Sequence, residues 1–224
     1  MDSDNALISD LNSKLIALYK GIKLCPHKVW ETFESFPPGK TAYNEIRYDS
    51  LEGRPLHYRA ARTLFLNRTC FKGMWRHNNQ GNFNVGYGGE ERRWVITHQN
   101  IVELSHILRK AEILNKDFED VISNASKDDF IFLDPPNKPG EKDLHELHYC
   151  NGKFLFEEQV RIANTLKSLP KTKNIRWAMT NSSHKDIIKL YENFQIDIIP
   201  FGTSDKLGIQ TNNPKEVLIR NYKL

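Results

Sequence analysis

Phe130-Ile131-Phe132-Leu133-Asp134-Pro135-Pro136-Asn137 changes character at its midpoint. The first four residues are an apolar run of aromatic and branched side chains, the pattern of a short buried strand. The next ones break it with a carboxylate and two prolines. Proline fixes φ and removes the amide donor, so the backbone after Asp134 is stiff and its carbonyls are free to accept. Together the halves predict a rigid cup at a strand end, holding one carboxylate and one unpaired carbonyl. An –NH2 group, with two hydrogens to donate, fits such a pair of acceptors. The same residues also fit an ordinary exit from strand to loop.

The flanking segments extend the pattern. Upstream, Ile113 and Leu114 predict a strand leading into Asn115-Lys116-Asp117-Phe118, and a short helix follows. Downstream, the order is a helix over 157–169 with Val160, Ala163 and Leu166 inward, a strand over 175–179, a helix over 184–191, and strands over 196–201 and 216–222. From residue 111 strands mostly alternate with helices and the last two strands adjoin. That order predicts an α/β open sheet with an antiparallel final pair. At the other end, residues 5–9 predict a strand ending at Asp10. Leu11, Leu15, Leu18, Tyr19 and Ile22 then recur at helical spacing. Further helices are predicted over 29–36, 43–51, 56–67 and 101–111. A polar β-hairpin with a long turn is predicted between Met74 and Val85. Gly86-Tyr87-Gly88-Gly89 closes it. That glycine run does not lead from a buried strand straight into a helix, so no phosphate cradle is expected there.

The totals leave room for one sizeable domain, or a domain with an insertion: 224 residues, 39% hydrophobic and 27% charged. No apolar run approaches the ~20 residues needed to cross a membrane. Cys25, Cys70 and Cys150 are odd in number and widely spaced, which argues against a disulfide framework and for a reducing cytoplasm. The net charge is only +4, but Arg54 to Gly89 contains no Asp or Glu. Arg54, Arg59, Arg62, Arg68, Lys72 and Arg76 all fall in that window, among aromatics and asparagines. Such a stretch is the footprint of a nucleic-acid surface, although a solvated basic face has the same composition.

Several stretches, in order, resemble one family, the Dam-type N6-adenine DNA methyltransferases. The carrying residues are Ser9-Asp10-Leu11-Asn12 with Leu15-Ile16, then Asn67-Arg68-Thr69-Cys70-Phe71-Lys72-Gly73, Trp75-Arg76-His77-Asn78 and Gly81-Asn82-Phe83-Asn84-Val85, then Lys116-Asp117-Phe118, Asp134-Pro135-Pro136, Thr180-Asn181-Ser182 and the run from Glu216 to Tyr222. The resemblance implies a Rossmann-like, S-adenosylmethionine-dependent methyltransferase core over 1–26 and 111–224. It also implies an inserted, mainly helical recognition domain over 27–110 that carries the hairpin.

The resemblance further assigns roles. Asp10 would accept from the ribose hydroxyls of S-adenosyl-L-methionine, as acidic residues do in other nucleotide folds. Asp117 would accept from the cofactor's adenine amine, with Phe118 against the ring. Asp134 and Pro135, with Pro136 and Asn137, would hold the target amine of an adenine flipped out of double-stranded DNA. The resemblance places Arg68, Lys72, Trp75, Arg76, Asn78, Gln80, Asn84, Arg92 and Arg93 on the DNA.

Two departures qualify the resemblance. The family carries a glycine-rich cofactor loop upstream of the acidic strand, whereas only nine residues precede Asp10 here and none is glycine. The family's first strand, central in its sheet, is therefore expected to be missing, leaving two open strand edges. Asn137 stands where the family has an aromatic ring, whose stacking on the flipped base would be worth ~1–3 kcal/mol. Alongside an adenine methyltransferase, the sequence thus leaves open a silent DNA-binding remnant, or one half of a split enzyme completed by a separate polypeptide. His145, His148 and Cys150 have ligand-like spacing but no evident fourth ligand, so no metal site is expected.

Overall fold

The computed structural model describes residues 6–78, 80–136, 154–199, 202–203, 210–211 and 216–223. Asn137, His145, His148 and Cys150 lie outside the described residues. The chain divides into two compact units, one ending at Asp117 and the other beginning at Phe118.

The first unit starts with β1 (Ala6–Ser9), which runs parallel to β2 (Ala111–Leu114) with Ser9 opposite Leu114. Between them the described residues include five α-helices: α1 (Ser13–Leu24), α2 (Pro26–Ser35), α3 (Lys40–Tyr48), α4 (Leu56–Thr69) and α5 (His98–Arg109). Asn12 caps α1 by accepting from the amides of Lys14 and Leu15, and a Thr97–Asn100 capping box starts α5. Helix α4 is the hub. Ala60, Ala61, Phe65 and Leu66 are fully buried, and Phe33, Val29 and Tyr43 close around them.

The hub corrects the reading of the basic window. Arg62 is 5% exposed, and its guanidinium donates to the carbonyls of Ile46 and Arg47 at the end of α3. Arg54 pairs with Asp49. Helices end with orphan carbonyls, and neither α2 nor α3 ends in a glycine, so long basic side chains supply the missing donors. Part of the positive charge therefore serves the fold.

The hairpin is present as a chain reversal held by two isolated bridges, His77 to Phe83 and Cys70 to Tyr87. Local side-chain bonds compete with a ladder here. The Asn78 carboxamide oxygen accepts from the amides of Gln80 and Asn82, while Lys14 of α1 donates to the Gly81 carbonyl at 2.8 Å. Gly88 is required by packing, since a Cβ there would sit 2.5 Å from the Cα of Phe71.

In the second unit, β3 (Phe130–Leu133), β4 (Arg176–Ser182), β8 (Glu216–Arg220) and β5 (Gln195–Ile198) form one sheet in that spatial order. The β3–β4 pair is parallel, while β8 runs antiparallel to both β4 and β5. The expected final antiparallel pair is therefore β5–β8, and β8 inserts beside β4 as well. Helices α6 (Phe118–Ser123), α7 (Phe156–Lys167) and α8 (Lys185–Leu190) accompany the sheet, and β6 (Gly202–Thr203) pairs with β7 (Gln210–Thr211). Trp177, Met179, Ile162, Ile187 and Tyr191 make the core. The inward stripe of α7 is Gln159, Ile162, Ala163 and Leu166, with a glutamine at its first position.

Among the described residues β1 pairs only with β2, and β3 only with β4. Phe130 and Phe132 of β3 are more than half exposed, which is unusual for a parallel strand.

Candidate active site and nucleic-acid surface

Leu133 lies opposite Met179 in parallel register, so the residues just past each, Asp134 and Thr180, stand side by side. The Thr180 hydroxyl donates to Asp134 Oδ1 at 2.5 Å. Asp134 itself is exposed. The prolines behind it are fixed by a second connection. Gln159 Nε2 donates to the Pro136 carbonyl at 2.8 Å, and Asn181 Nδ2 donates to Gln159 Oε1 at 3.0 Å. Gln159 and Asn181 are each 1% exposed. Buried amides oriented this way form a connected network with little freedom. The result is a carboxylate oriented by one hydrogen bond on a backbone whose second proline carbonyl is already engaged. The acceptors left to a ligand are the carboxylate and the Pro135 carbonyl.

The sequence did not single out Gln159 or give Thr180 and Asn181 this role. A polar residue leading an apolar i, i+3, i+4, i+7 stripe is the one signal Gln159 carried.

Asp10 follows β1 directly and Asp117 lies three residues past β2, so both acids sit at the carboxyl end of the same parallel pair. Ligands of open α/β sheets bind at that end. The amide of Asn12 donates to Asp10 Oδ1 at 2.6 Å, the Asn115 side chain donates to the Asp10 carbonyl, and Ser9 donates to the Lys116 carbonyl. These bonds join the two strand exits. Phe118 opens α6, and the guanidinium of Arg161 lies 4.3 Å from its ring centroid.

The residues assigned to DNA separate into two groups. Arg93 is interior: it is 1% exposed and its guanidinium donates to the carbonyls of Phe33 and Phe36 at 2.8 and 2.6 Å. It caps α2 and is not a surface contact, a correction that follows from the same demand for helix-end donors met by Arg62. Trp75 packs against Phe83, with ring centroids 4.8 Å apart. Arg76 donates to Asn84 Oδ1, and Asn78 ties the turn. Lys72 and Gln80 are exposed, and Arg68 and Arg92 are half-buried. Among the described residues no group of three or more His, Cys, Asp or Glu is placed to hold a metal ion. No described helix is long and apolar enough to cross a membrane.

Comparison with known proteins adds a second line. A family model described as D12 class N6 adenine-specific DNA methyltransferase matches residues 2–199. The chain is 31% identical to the type II methyltransferase M.MjaIII of Methanocaldococcus jannaschii, over 96% of this chain and 80% of that protein. It is 29% identical to the type II methyltransferase M1.LlaDCHI of Lactococcus lactis subsp. cremoris, over 97% of this chain and 79% of that protein. It is 23% identical to a DNA adenine methylase of Vibrio cholerae, over 97% of this chain and 80% of that protein.

Proposed function

Because this chain belongs to the D12 class of N6 adenine-specific DNA methyltransferases, we propose that it transfers a methyl group from S-adenosyl-L-methionine to the exocyclic amine of adenine in duplex DNA. The observation that carries the reading is the Asp134 carboxylate, held by Thr180 beside a proline backbone held by Gln159.

The target amine donates its two hydrogens to Asp134 and to the Pro135 carbonyl. That orientation turns the nitrogen lone pair outward, and the carboxylate stabilises the positive charge that builds on nitrogen as it attacks. No covalent enzyme intermediate is needed. The adenine has to leave the stack, because its amine is otherwise paired. Bound S-adenosylmethionine would supply the methyl of its sulfonium: the S–CH3 bond would break as the N–CH3 bond forms, S-adenosylhomocysteine would leave, and the proton lost from nitrogen would pass to water. Asp10 and Asp117 fit its adenosine end, as two acceptors at one strand-pair terminus facing hydroxyl and amine donors, and Phe118 offers a ring for the base. Residues 27–110 would carry the DNA-recognition surface, and 1–26 with 111–224 the Rossmann-like methyltransferase core. In that surface Lys72 meets phosphates. Gln80, exposed near the turn, reaches base edges, so Gln80→Ala shifts sequence preference more than overall affinity.

The test is incubation of the chain with labelled S-adenosylmethionine and duplex DNA, with the product base identified by mass spectrometry. N6-Methyladenine is the expected product. A methyl on another base, or DNA binding with no transfer, overturns the reading. Thr180→Val should lower the single-turnover rate about tenfold while DNA affinity stays within twofold, since a hydrogen bond to a charged group is worth about 1.5 kcal/mol or more. A rate equal to that of the parent would remove Thr180 from the machinery.

The edge of β3 that pairs with no other described strand, with Phe130 and Phe132 exposed, favours a second form of the same reading. A further strand, from this or another polypeptide, completes that sheet. Activity that appears only on mixing with a second polypeptide would establish it.

A further inference from the structure

Helix α6 has only six residues, too few to hold its own first turn by propensity. Helix α7 has twelve and is anchored in the core of its unit by Ile162, Ala163 and Leu166. Arg161 precedes that stripe by one residue. It lies over the ring of Phe118, the first residue of α6, with its guanidinium carbon 4.3 Å from the ring centroid. Two carboxylates hold the guanidinium there. Glu158, one turn earlier on α7, pairs with Nη2 at 2.7 Å, and Glu119, next to Phe118 on α6, meets Nη1 at 3.5 Å.

The pair with Glu158 lies within α7, so the arm is set by the anchored helix. A planar guanidinium held at two nitrogens has little freedom to swing away from the ring. As contributions to stability these ion pairs are small, because the side chains of Arg161, Glu158 and Glu119 are all more than a third exposed. What they fix is a direction. Phe118 packs against the core on one side and carries Arg161 over its ring, yet it is only half-buried. Part of an oriented ring is left open to a ligand.

We propose that Arg161 is a positioning residue for the cofactor: from α7 it fixes the Phe118 ring at the angle at which that ring meets the adenine of S-adenosyl-L-methionine. This deepens the methyltransferase reading and rests on it, and on the place that reading gives Phe118. Ordering a free side chain during binding consumes part of what its contacts provide. Arg161 orders the ring beforehand, and it acts through the ring rather than on the cofactor.

The experiment is calorimetric titration with S-adenosyl-L-homocysteine, which has the same adenosine end and is not consumed. The proteins are the parent, R161M, R161K, F118A and the double variant R161M/F118A, with melting temperatures taken without ligand. R161M is expected to bind about fivefold more weakly, the size of one cation–π contact at a partly exposed site. R161K should recover part of this, since an ammonium keeps the charge but not the flat fork. The double variant should bind within about twofold of F118A, the non-additivity of two residues that act as one. Melting temperatures of R161M and the parent should agree within about 3 °C. Parental affinity in R161M beside a weakened F118A overturns the inference alone. So does a double variant that shows both losses multiplied, or a melting temperature of R161M that falls well beyond that margin together with its affinity. Parental affinity in F118A removes Phe118 from the cofactor, and no binding by the parent removes the cofactor reading itself; the inference falls in either case.

Discussion

Asp134→Ala is expected to reduce single-turnover methyl transfer by roughly 10³-fold or more, about 4 kcal/mol of transition-state stabilisation. In the proposed mechanism the carboxylate receives one hydrogen of the target amine and faces the charge that develops there. Its position is set by β3 on one side and by the Thr180 hydroxyl on the other. Asp134→Asn separates the two contributions. It keeps an acceptor oxygen for the amine but removes the charge, so its rate should fall between parent and alanine. Duplex affinity should change little in either variant, since phosphate contacts elsewhere dominate binding. Radiolabelled methyl incorporation in a single turnover measures both. An alanine variant within tenfold of the parent would sink the proposed mechanism.

Arg93→Met should cost the first unit about 3 kcal/mol or more and lower its melting temperature by about 6–12 °C. Methionine keeps much of the stem volume but donates nothing. The carbonyls of Phe33 and Phe36 would then be left without their donor in apolar surroundings, and Glu90 would lose the guanidinium 3.3 Å away. Each buried acceptor left unsatisfied costs about 1–3 kcal/mol. The rings of Phe33, Phe65 and Trp94, which pack around the guanidinium at 4.7 to 5.4 Å, would lose a cation at close range. Arg93→Lys should recover less than half of the loss, because a single ammonium cannot span carbonyls that a planar fork reaches together. Urea denaturation gives the answer. Parental stability combined with weakened DNA binding would return Arg93 to the surface role that the sequence suggested.

Arg93 marks the boundary between what each level of description decides. The cup was legible in the sequence because its causes are local: an apolar run makes the strand, two prolines stiffen the exit, and the acid stands at the break. The order of strands and helices was legible because periodicity is also local, and the collinear motifs carried the family. Local chemistry could not say which arginines face DNA. An arginine among aromatics looks the same in sequence whether it meets a phosphate or caps a helix buried beneath it. Only the packing of α2 and α3 against α4 turned Arg93 and Arg62 inward, toward carbonyls that have no other donor. The partners of the cup were hidden for the same reason. Thr180 reaches Asp134 across 46 residues and Gln159 reaches Pro136 across 23. Their roles exist only once β4 has paired with β3 in parallel register and α7 has turned its polar leading residue into the core.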